Sequence, residues 1–424
     1  QAWGLHNYCW SLMSRPVINV IINFSTGATF GNPFILNQSQ LGSLDVLADS
    51  TALIVDVSDL VDTISTNRGR QLSAEQFNTG TASVRILDQN GDFNSQNPSS
   101  PYYSYLSPMR KIAITATYLG VTYPIYAGYI TAYTTSTPRF TGDLVFTTIT
   151  AVDGFRLFQN AQFFGVTGAT AGETTGSRVT KILDTIGWPA SMRDIDTGQT
   201  TVQADPATQR TALSALQTVA TTEFGAIYMS ADGKAVFQDR SVTSTSVAGT
   251  PKVFSDDGSG IGYNNVLWVF DDTQIYNLAT ITRTGGSVQT VSDSASIAQY
   301  FTHSYNQSGL LMQTDAEALN YAQAFVASRK DTAVRVDSLT LDLQQDNYDA
   351  GTIAGLDLDF FDPITVTTSQ PNSTLTKTEQ VFGVSHQIRP DSWKVNFTTA
   401  EPIIDAFILD STLYGILGTS VLSY

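Results

Sequence analysis

Between Ala52 and Asp153 apolar residues recur at every second position in short runs, and each run is closed by a turn-forming residue. Thr81-Ala-Ser-Val-Arg-Ile-Leu87, Lys111-Ile-Ala-Ile-Thr-Ala-Thr-Tyr118 and Leu144-Val-Phe-Thr-Thr-Ile-Thr-Ala-Val152 share this period of two, which sends alternate side chains to opposite faces of a strand. Asp88-Gln-Asn-Gly-Asp92 and Asn97-Pro-Ser-Ser-Pro101 supply the Gly, Pro, Asn and Asp that tight connections require. A chain built this way buries one sheet face and wets the other, so a barrel or sandwich is predicted. Composition fits that prediction. Only 14% of the 424 residues are charged and 42% are hydrophobic, which leaves a surface made largely of Ser, Thr, Asn, Gln and Gly. Thr, Val, Ile and aromatics sit well on a pleated surface.

After Gly165 the period changes. In Ser177-Arg-Val-Thr-Lys-Ile-Leu-Asp-Thr-Ile-Gly187, residues Val179, Ile182, Leu183 and Ile186 share one helical face, and Gly187 before Pro189 ends the helix. Asp205-Pro206 reads as an N-cap followed by first-turn proline, opening a second helix striped by Leu213, Leu216 and Val219. Ile227 to Phe237 reads as two strands joined at Asp232-Gly233, a hairpin signal. A second β-rich stretch begins near Val253 and runs to about Glu401. It is interrupted by one helix opened by the capping box Thr314-Asp-Ala-Glu317, with Ala316, Leu319, Ala322 and Val326 on its predicted buried face. Strands are predicted at Val334 to Leu343, Ile364 to Thr368 and Trp393 to Thr399.

Two internal echoes join the halves. Ala127-Gly-Tyr-Ile-Thr-Ala-Tyr133 followed by Leu144 to Thr150 resembles Phe382-Gly-Val-Ser-His-Gln-Ile388 followed by Trp393 to Thr399. Phe34-Ile-Leu-Asn-Gln-Ser-Gln-Leu-Gly-Ser-Leu44 resembles Phe407-Ile-Leu-Asp-Ser-Thr-Leu-Tyr-Gly-Ile-Leu417. Chance likeness of hairpins and apolar segments explains both; so does common architecture, with two similar arms leaving two similar barrels.

Chemistry is poorly supported. The net charge of -16 and a pI near 4.4 repel nucleic acid over most of the surface, so any DNA contact is local. A single cysteine, Cys9, permits no intrachain disulfide, and His6, His303 and His386 lack paired metal-ligand spacing. Asp256-Asp257, Asp271-Asp272 and Asp357-Leu-Asp359-Phe-Phe-Asp362 are expected to be solvated turn caps rather than a glycosidase pair. Asp88 to Asp92 resembles a calcium loop but has no bidentate Glu at the expected place. Gly165-Val-Thr-Gly168 and Thr284-Gly-Gly286 lack the context of a phosphate cradle. Pro101-Tyr-Tyr-Ser-Tyr105 offers rings for a sugar or, more ordinarily, for packing against a turn. No catalytic, cofactor-binding or metal residue is assigned, and no enzymatic activity is expected. No apolar run reaches the roughly 18 residues of a membrane span, and the first residues lack the order of a signal peptide, so synthesis in a cytoplasm and no stable membrane insertion are expected.

The ordered combination Val55-Asp-Val-Ser-Asp-Leu-Val61, Arg68-Gly-Arg70, Phe77 to Asp88, Gly91-Asp-Phe93 and Ser100-Pro-Tyr-Tyr103 resembles minor tail proteins of long-tailed phages of actinobacteria. Gly172-Glu-Thr-Thr-Gly-Ser-Arg178, Ser308-Gly-Leu-Leu311, Arg335-Val-Asp-Ser-Leu339 and Gly383-Val-Ser-His386 before Trp393 continue the pattern, which runs from about Asn32 to Tyr424. The resemblance implies a baseplate hub: a mainly β fold with α+β insertions, comprising two related β-barrel (hub-type) domains and a smaller α/β module. The corresponding divisions are an N-terminal arm (1–45), a first β-barrel (46–156), an inserted α/β module (157–250), a second β-barrel region with a helix near 315–330 (251–401) and a C-terminal arm (402–424). It further implies a homotrimer at the tail tip of a virion, contacting the distal tail protein, tape measure protein and other tip proteins, with genomic DNA passing through its channel without specific binding. Because relatives often carry C-terminal hydrolase or adhesin domains that are not found after the second β-region here, a structural hub is expected. A hexameric distal tail protein and a carbohydrate-binding tip adhesin are the alternatives.

Within an acidic chain, Arg68-Gly69-Arg70 stands out. The strand before it is expected to end near Thr66, with the arginines pairing to the Asp-rich turns of a neighbour rather than gripping phosphate; a place in the lining of a DNA channel is the other option.

Overall fold

The structure, a computed structural model, describes residues 15–24, 32–33, 45–46, 53–70, 76–136, 145–245, 250–344 and 349–401. Both Phe-Ile-Leu segments of the terminal echo lie outside these residues, as does Cys9.

A 13-stranded sheet organises the chain. Its strands are β1 (Val17–Asn23), β2 (Ile54–Asp56), β3 (Val61–Gly69), β4 (Asn78–Leu87), β5 (Lys111–Tyr118), β6 (Val121–Ser136), β7 (Phe146–Val152), β8 (Lys252–Ser255), β9 (Asn265–Val269), β10 (Arg335–Asp342), β11 (Pro363–Gln370), β12 (Ser373–Arg389) and β13 (Ser392–Ala400). They lie in the order β9-β10-β13-β12-β3-β4-β7-β6-β5-β1-β2, with β11 pairing β12 and β8 pairing β11. The period-two runs become strands for the reason the sequence suggests. Ile64, Val84, Ile149, Leu339, Val395 and Phe397 are buried on one face. Each such aliphatic or aromatic side chain contributes about 1.5–3 kcal/mol by leaving water.

Among the described residues no closed barrel is found. Among them there is one continuous, largely antiparallel sheet, because β12 of the second β-region pairs edge to edge with β3 of the first, from Gly383↔Gly69 to Ile388↔Ile64. The shared edge satisfies on each side the backbone groups that separate barrel closures would satisfy internally.

The duplication is nevertheless visible in topology. The order β5-β6-β7-β4-β3 is repeated as β11-β12-β13-β10-β9. In each copy the long strand carries a bulge where it changes neighbours, between Ile130 and Ala132 in β6 and between Val381 and Gly383 in β12. A left-handed residue precedes the strand on its flank in both. Met109 (φ 67°) donates its N–H to the Ile130 carbonyl at 2.6 Å, and Phe361 (φ 69°) donates to the Val381 carbonyl at 2.7 Å. The next residues, Arg110 and Asp362, accept from Ile130 and Val381 in return. This equivalence sets Ala132, not Gly128, opposite Gly383, so the glycine-led echo of the sequence is four residues out of register in the long strand.

Between the halves, helices Thr175–Thr185 and Ala212–Glu223 pack together above a three-stranded sheet of Arg193–Ile195, Ala235–Gln238 and Ala226–Met229. The second helix begins later than Asp205-Pro206 suggests. Thr211 caps it by accepting from the Ser214 N–H, while the Asp205 carboxylate is drawn away to Arg210 and to the N–H groups of Val166 and Ala207. Glu223 is fully buried yet satisfied, accepting from Thr175 Oγ1 at 2.7 Å, Gln199 N–H at 3.0 Å and Thr200 N–H at 2.9 Å.

The second β-region also contains more helix than expected. Strands Leu278–Arg283, Gln289–Ser292 and Ser304–Leu310 make a separate three-stranded sheet with its own core, covered by helix Asp315–Arg329 and accompanied by helix Ser294–Tyr300, while a further helix, Asp349–Asp357, packs on β6 of the large sheet. The Thr314/Glu317 capping box is present. The helix is rotated from the predicted face, because Tyr321 and Phe325, stacked on Phe224 and Tyr305, bring Ala318, Ala322 and Val326 inward and leave Ala316 exposed.

Candidate functional site

The basic knot lies inside the seam between the halves. β3 continues through Gly69 rather than ending near Thr66, so Arg68 follows Ile64 and Thr66 onto the core side. Arg68 Nη2 donates to Asp359 Oδ1 at 2.9 Å, and its guanidinium lies 4.9 Å from the centre of the Phe360 ring. Arg70 sits over the rings of Phe382 (4.3 Å) and Phe77 (4.7 Å). Both arginines are only 6% exposed, which removes them from any phosphate that follows the surface. The Asp-rich turn at 357–362 is thus a partner of the knot within the same chain.

The other carboxylate clusters are engaged in turns. Asp256 accepts from the Ser369 N–H, Asp257 from Ser259, and Asp271 takes a two-pronged contact from Arg335 at 2.7 and 3.0 Å that holds it down near 2. Asp88 accepts from the Asp92 and Phe93 N–H groups and from Thr147 Oγ1, so the loop resembling a calcium site folds around its own carboxylate. No metal-ligating cluster of His, Cys, Asp and Glu occurs among the described residues. Tyr102 stacks on Phe24 at 5.3 Å and packs on Phe93, whereas Tyr103 points to solvent.

What the strands do bring together is a broad polar face on the side of the sheet away from the core. One row across the strands reads Asn265, Thr340, Asn396, Ser385, Asn67 and Thr81 on β9, β10, β13, β12, β3 and β4. A second reads Lys394, Gln387, Ser65, Ser83, Thr150 and Ala132. The two rows cross the seam without interruption. At its centre a shallow depression is lined by Asn67, Thr81, Ser385, Asn396 and Thr398. Short hydroxyl and amide side chains make up most of this face; charges gather toward one end, where Arg85 pairs with Asp62 and Arg389 and Lys394 are exposed. Alternation made its residues legible strand by strand; which strands adjoin was not, because pairings such as Asn67 with Ser385 span most of the chain.

Three titratable groups lie beneath the face. Burial pushes Asp153 up to about 7 even though it accepts from the Gly80 and Phe155 N–H groups, and burial likewise pushes Glu379 up to about 7 against its bond from the Val336 N–H. Burial drives His386 down to about 3, and its Nδ1 accepts from Trp393 Nε1 at 3.3 Å. His386 lies in the seam itself, opposite Thr66 of β3, whereas Asp153 reaches β4 through Gly80 and Glu379 reaches β10 through Val336.

No family model and no curated protein matches the sequence. Solved structures do share its fold. A tail protein from Neisseria meningitidis MC58 is similar at a TM-score of 0.53 with 9% identity, over 91% of this chain and 96% of that one. The 43 kDa tail protein of prophage MuSo2 from Shewanella oneidensis is similar at 0.50 with 12% identity, over 83% of this chain and 95% of that one. At these identities the likeness is one of fold, and it extends over nearly the whole of each tail protein.

Proposed function

We propose that the chain is a structural component of a phage tail, and specifically a hub at the tail tip, three copies of which surround the channel for tape measure protein and DNA. The observation that carries this reading is the face of mainly Ser, Thr and Asn running across two topologically equivalent half-sheets. Three chains with two equivalent halves present six similar surfaces, which matches a sixfold tube above to a threefold tip below. The central stretch of this face, from Asn265 to Thr81, carries no charge and suits a lining past which a polyanion must slide, since fixed cations would hold phosphate and dense anionic charge would oppose entry. The fold shared with two tail proteins supports the same setting, as does the ordered resemblance to minor tail proteins. Among the described residues no helix is long and apolar enough to cross a membrane.

A cryo-EM reconstruction of the parent particle's tail tip tests the reading. Three copies around the axis with Asn67, Ser385 and Thr81 facing the channel are expected. Six copies would replace the hub by a distal tail protein, and a peripheral position would replace it by a receptor-binding role.

A further inference from the structure

The seam inside the chain is a template for a contact between chains. At the seam, β12 turns the edge beyond its bulge to β3, with Ser65 opposite Gln387. In the duplicated topology β6 is the counterpart of β12 and β9 the counterpart of β3. Yet among the described residues the edge of β6 beyond its bulge (132–136) pairs only with β7, and β9 pairs only with β10. Each half of the seam therefore recurs once more with no strand laid against it among the described residues.

We propose that β9 of one copy pairs antiparallel with residues 132–136 of β6 in a second copy of this chain, reproducing the internal seam between subunits. The register follows from the pairs already present. Ala132 corresponds to Gly383 by their bulges, which makes Thr150 correspond to Thr398, then Ser83 to Ser338, then Ser65 to Leu267. Since Ser136 corresponds to Gln387, Leu267 lies opposite Ser136.

The two edges have the chemistry of paired strands. Asn265-Val-Leu-Trp-Val269 and Ala132-Tyr-Thr-Thr-Ser136 contain no proline and no charge, the devices by which exposed edges are usually blocked. Leu267 is 47% and the adjoining Phe270 67% exposed, an unusual pair of apolar residues for an edge left in water. By contrast the sheet's other terminal strands, β2 and β8, have only three and four residues, which limits pairing by shortness. The contact is head to tail, using different strands of each copy, so it generates a ring if the rotation closes. It rests on the hub reading for its copy number alone.

The test is cross-linking of the full chain in a C9S background, with cysteines at S136C and L267C. Residues opposite one another in antiparallel strands have Cα atoms about 4.5–5.5 Å apart, within disulfide reach. Oxidation at high concentration is expected to give a three-chain species on a non-reducing gel, absent from either single variant and from the distant pair V17C/L267C. The charged variant L267K is expected to shift the protein to monomer in sedimentation, with an unchanged circular dichroism spectrum. Absence of cross-linking in a double variant that folds like the parent would overturn the proposal. So would equal cross-linking of the distant pair. A ladder of ever longer species would keep the strand pairing and remove the threefold hub, whereas three copies in the particle without the cross-link would keep the hub and remove the pairing.

Discussion

Arg68 and Asp359 meet at 2.9 Å across a sequence separation of 291 residues, and theirs is the ion pair that fastens β3 to the turn leading into β11. The two ends of the bond are not equivalent. Arg68 is 6% exposed and Asp359 is 35% exposed, so losing one partner leaves a buried cation while losing the other leaves a carboxylate that water reaches. Removing one member of a buried pair is costly because the survivor is stranded. We therefore expect D359A to lose about 2–3 kcal/mol in urea denaturation and R68M to lose less, about 1–2 kcal/mol, since a methionine stem still packs on Phe360. Equal losses would mean that the pair acts through packing alone.

The adjoining glycine is held more strictly. A Cβ on Gly69 would lie 2.3 Å from the Phe382 carbonyl oxygen and 2.5 Å from Gly383 Cα, at a φ of +113°. G69A is expected to cost at least about 3 kcal/mol, combining strain with separation of the seam strands. Gly120 also has a positive φ, +82°, but nothing stands within 4 Å of its Cβ position. G120A is expected to cost only about 1–2 kcal/mol, the backbone penalty alone. Thermal melts of the two variants separate crowding at the seam from conformational strain.

The buried groups under the polar face give stability a pH dependence of two signs. His386 is held near 3 when folded against an ordinary value of 6.5, so as pH falls below about 6.5 the unfolded chain gains a proton that the folded chain refuses. Stability then declines by about 1.4 kcal/mol per unit. Asp153, raised from 3.8 to about 7, acts in the opposite direction: between those values the unfolded state is ionised and the folded state protonated, so stability declines as pH rises. H386N keeps an acceptor for Trp393 and cannot titrate. Relative to the parent it is expected to gain about 2 kcal/mol on going from pH 7 to pH 5, measured by denaturant midpoints at each pH. D153N is expected to change the other way, its deficit against the parent shrinking as pH rises from 4 to 7.

How far the sequence foretells these features depends on the range of the interaction. Period-two runs found β4, β5, β10 and β13 to within a few residues, and Thr314/Glu317 found its helix, because alternation and capping are local. The seam was hidden, since nothing local in Gly69 or Gly383 reveals that one backbone lies against the other. The left-handed Met109 and Phe361 were hidden for another reason: neither is a residue type that announces a positive φ, and tertiary hydrogen bonds to the bulges hold them there. Asp205 misled because Asp-Pro marks helix starts in general, whereas here Arg210 claims the carboxylate. The basic knot was legible in its preference for aspartate and not in its burial, which only the long-range arrival of Phe360 and Phe382 provides.

The polar face can be challenged without disturbing the fold. Ser65 and Thr81 are exposed and lie on adjacent strands of that face, β3 and β4. S65K/T81K leaves the core untouched, so stability is expected to stay within about 0.5 kcal/mol of the parent. In a trimeric hub the two substitutions place six lysines around the channel, each able to neutralise a phosphate as DNA passes. Binding of that kind weakens steeply with salt. Phages carrying S65K/T81K are therefore expected to assemble normal tails by electron microscopy yet to eject DNA more slowly, with infectivity at least about tenfold lower and partly restored at high ionic strength. The neutral pair S65N/T81N is expected to behave as the parent. Unchanged ejection by the lysine variant would place this face away from the DNA path, whatever the copy number of the chain at the tip.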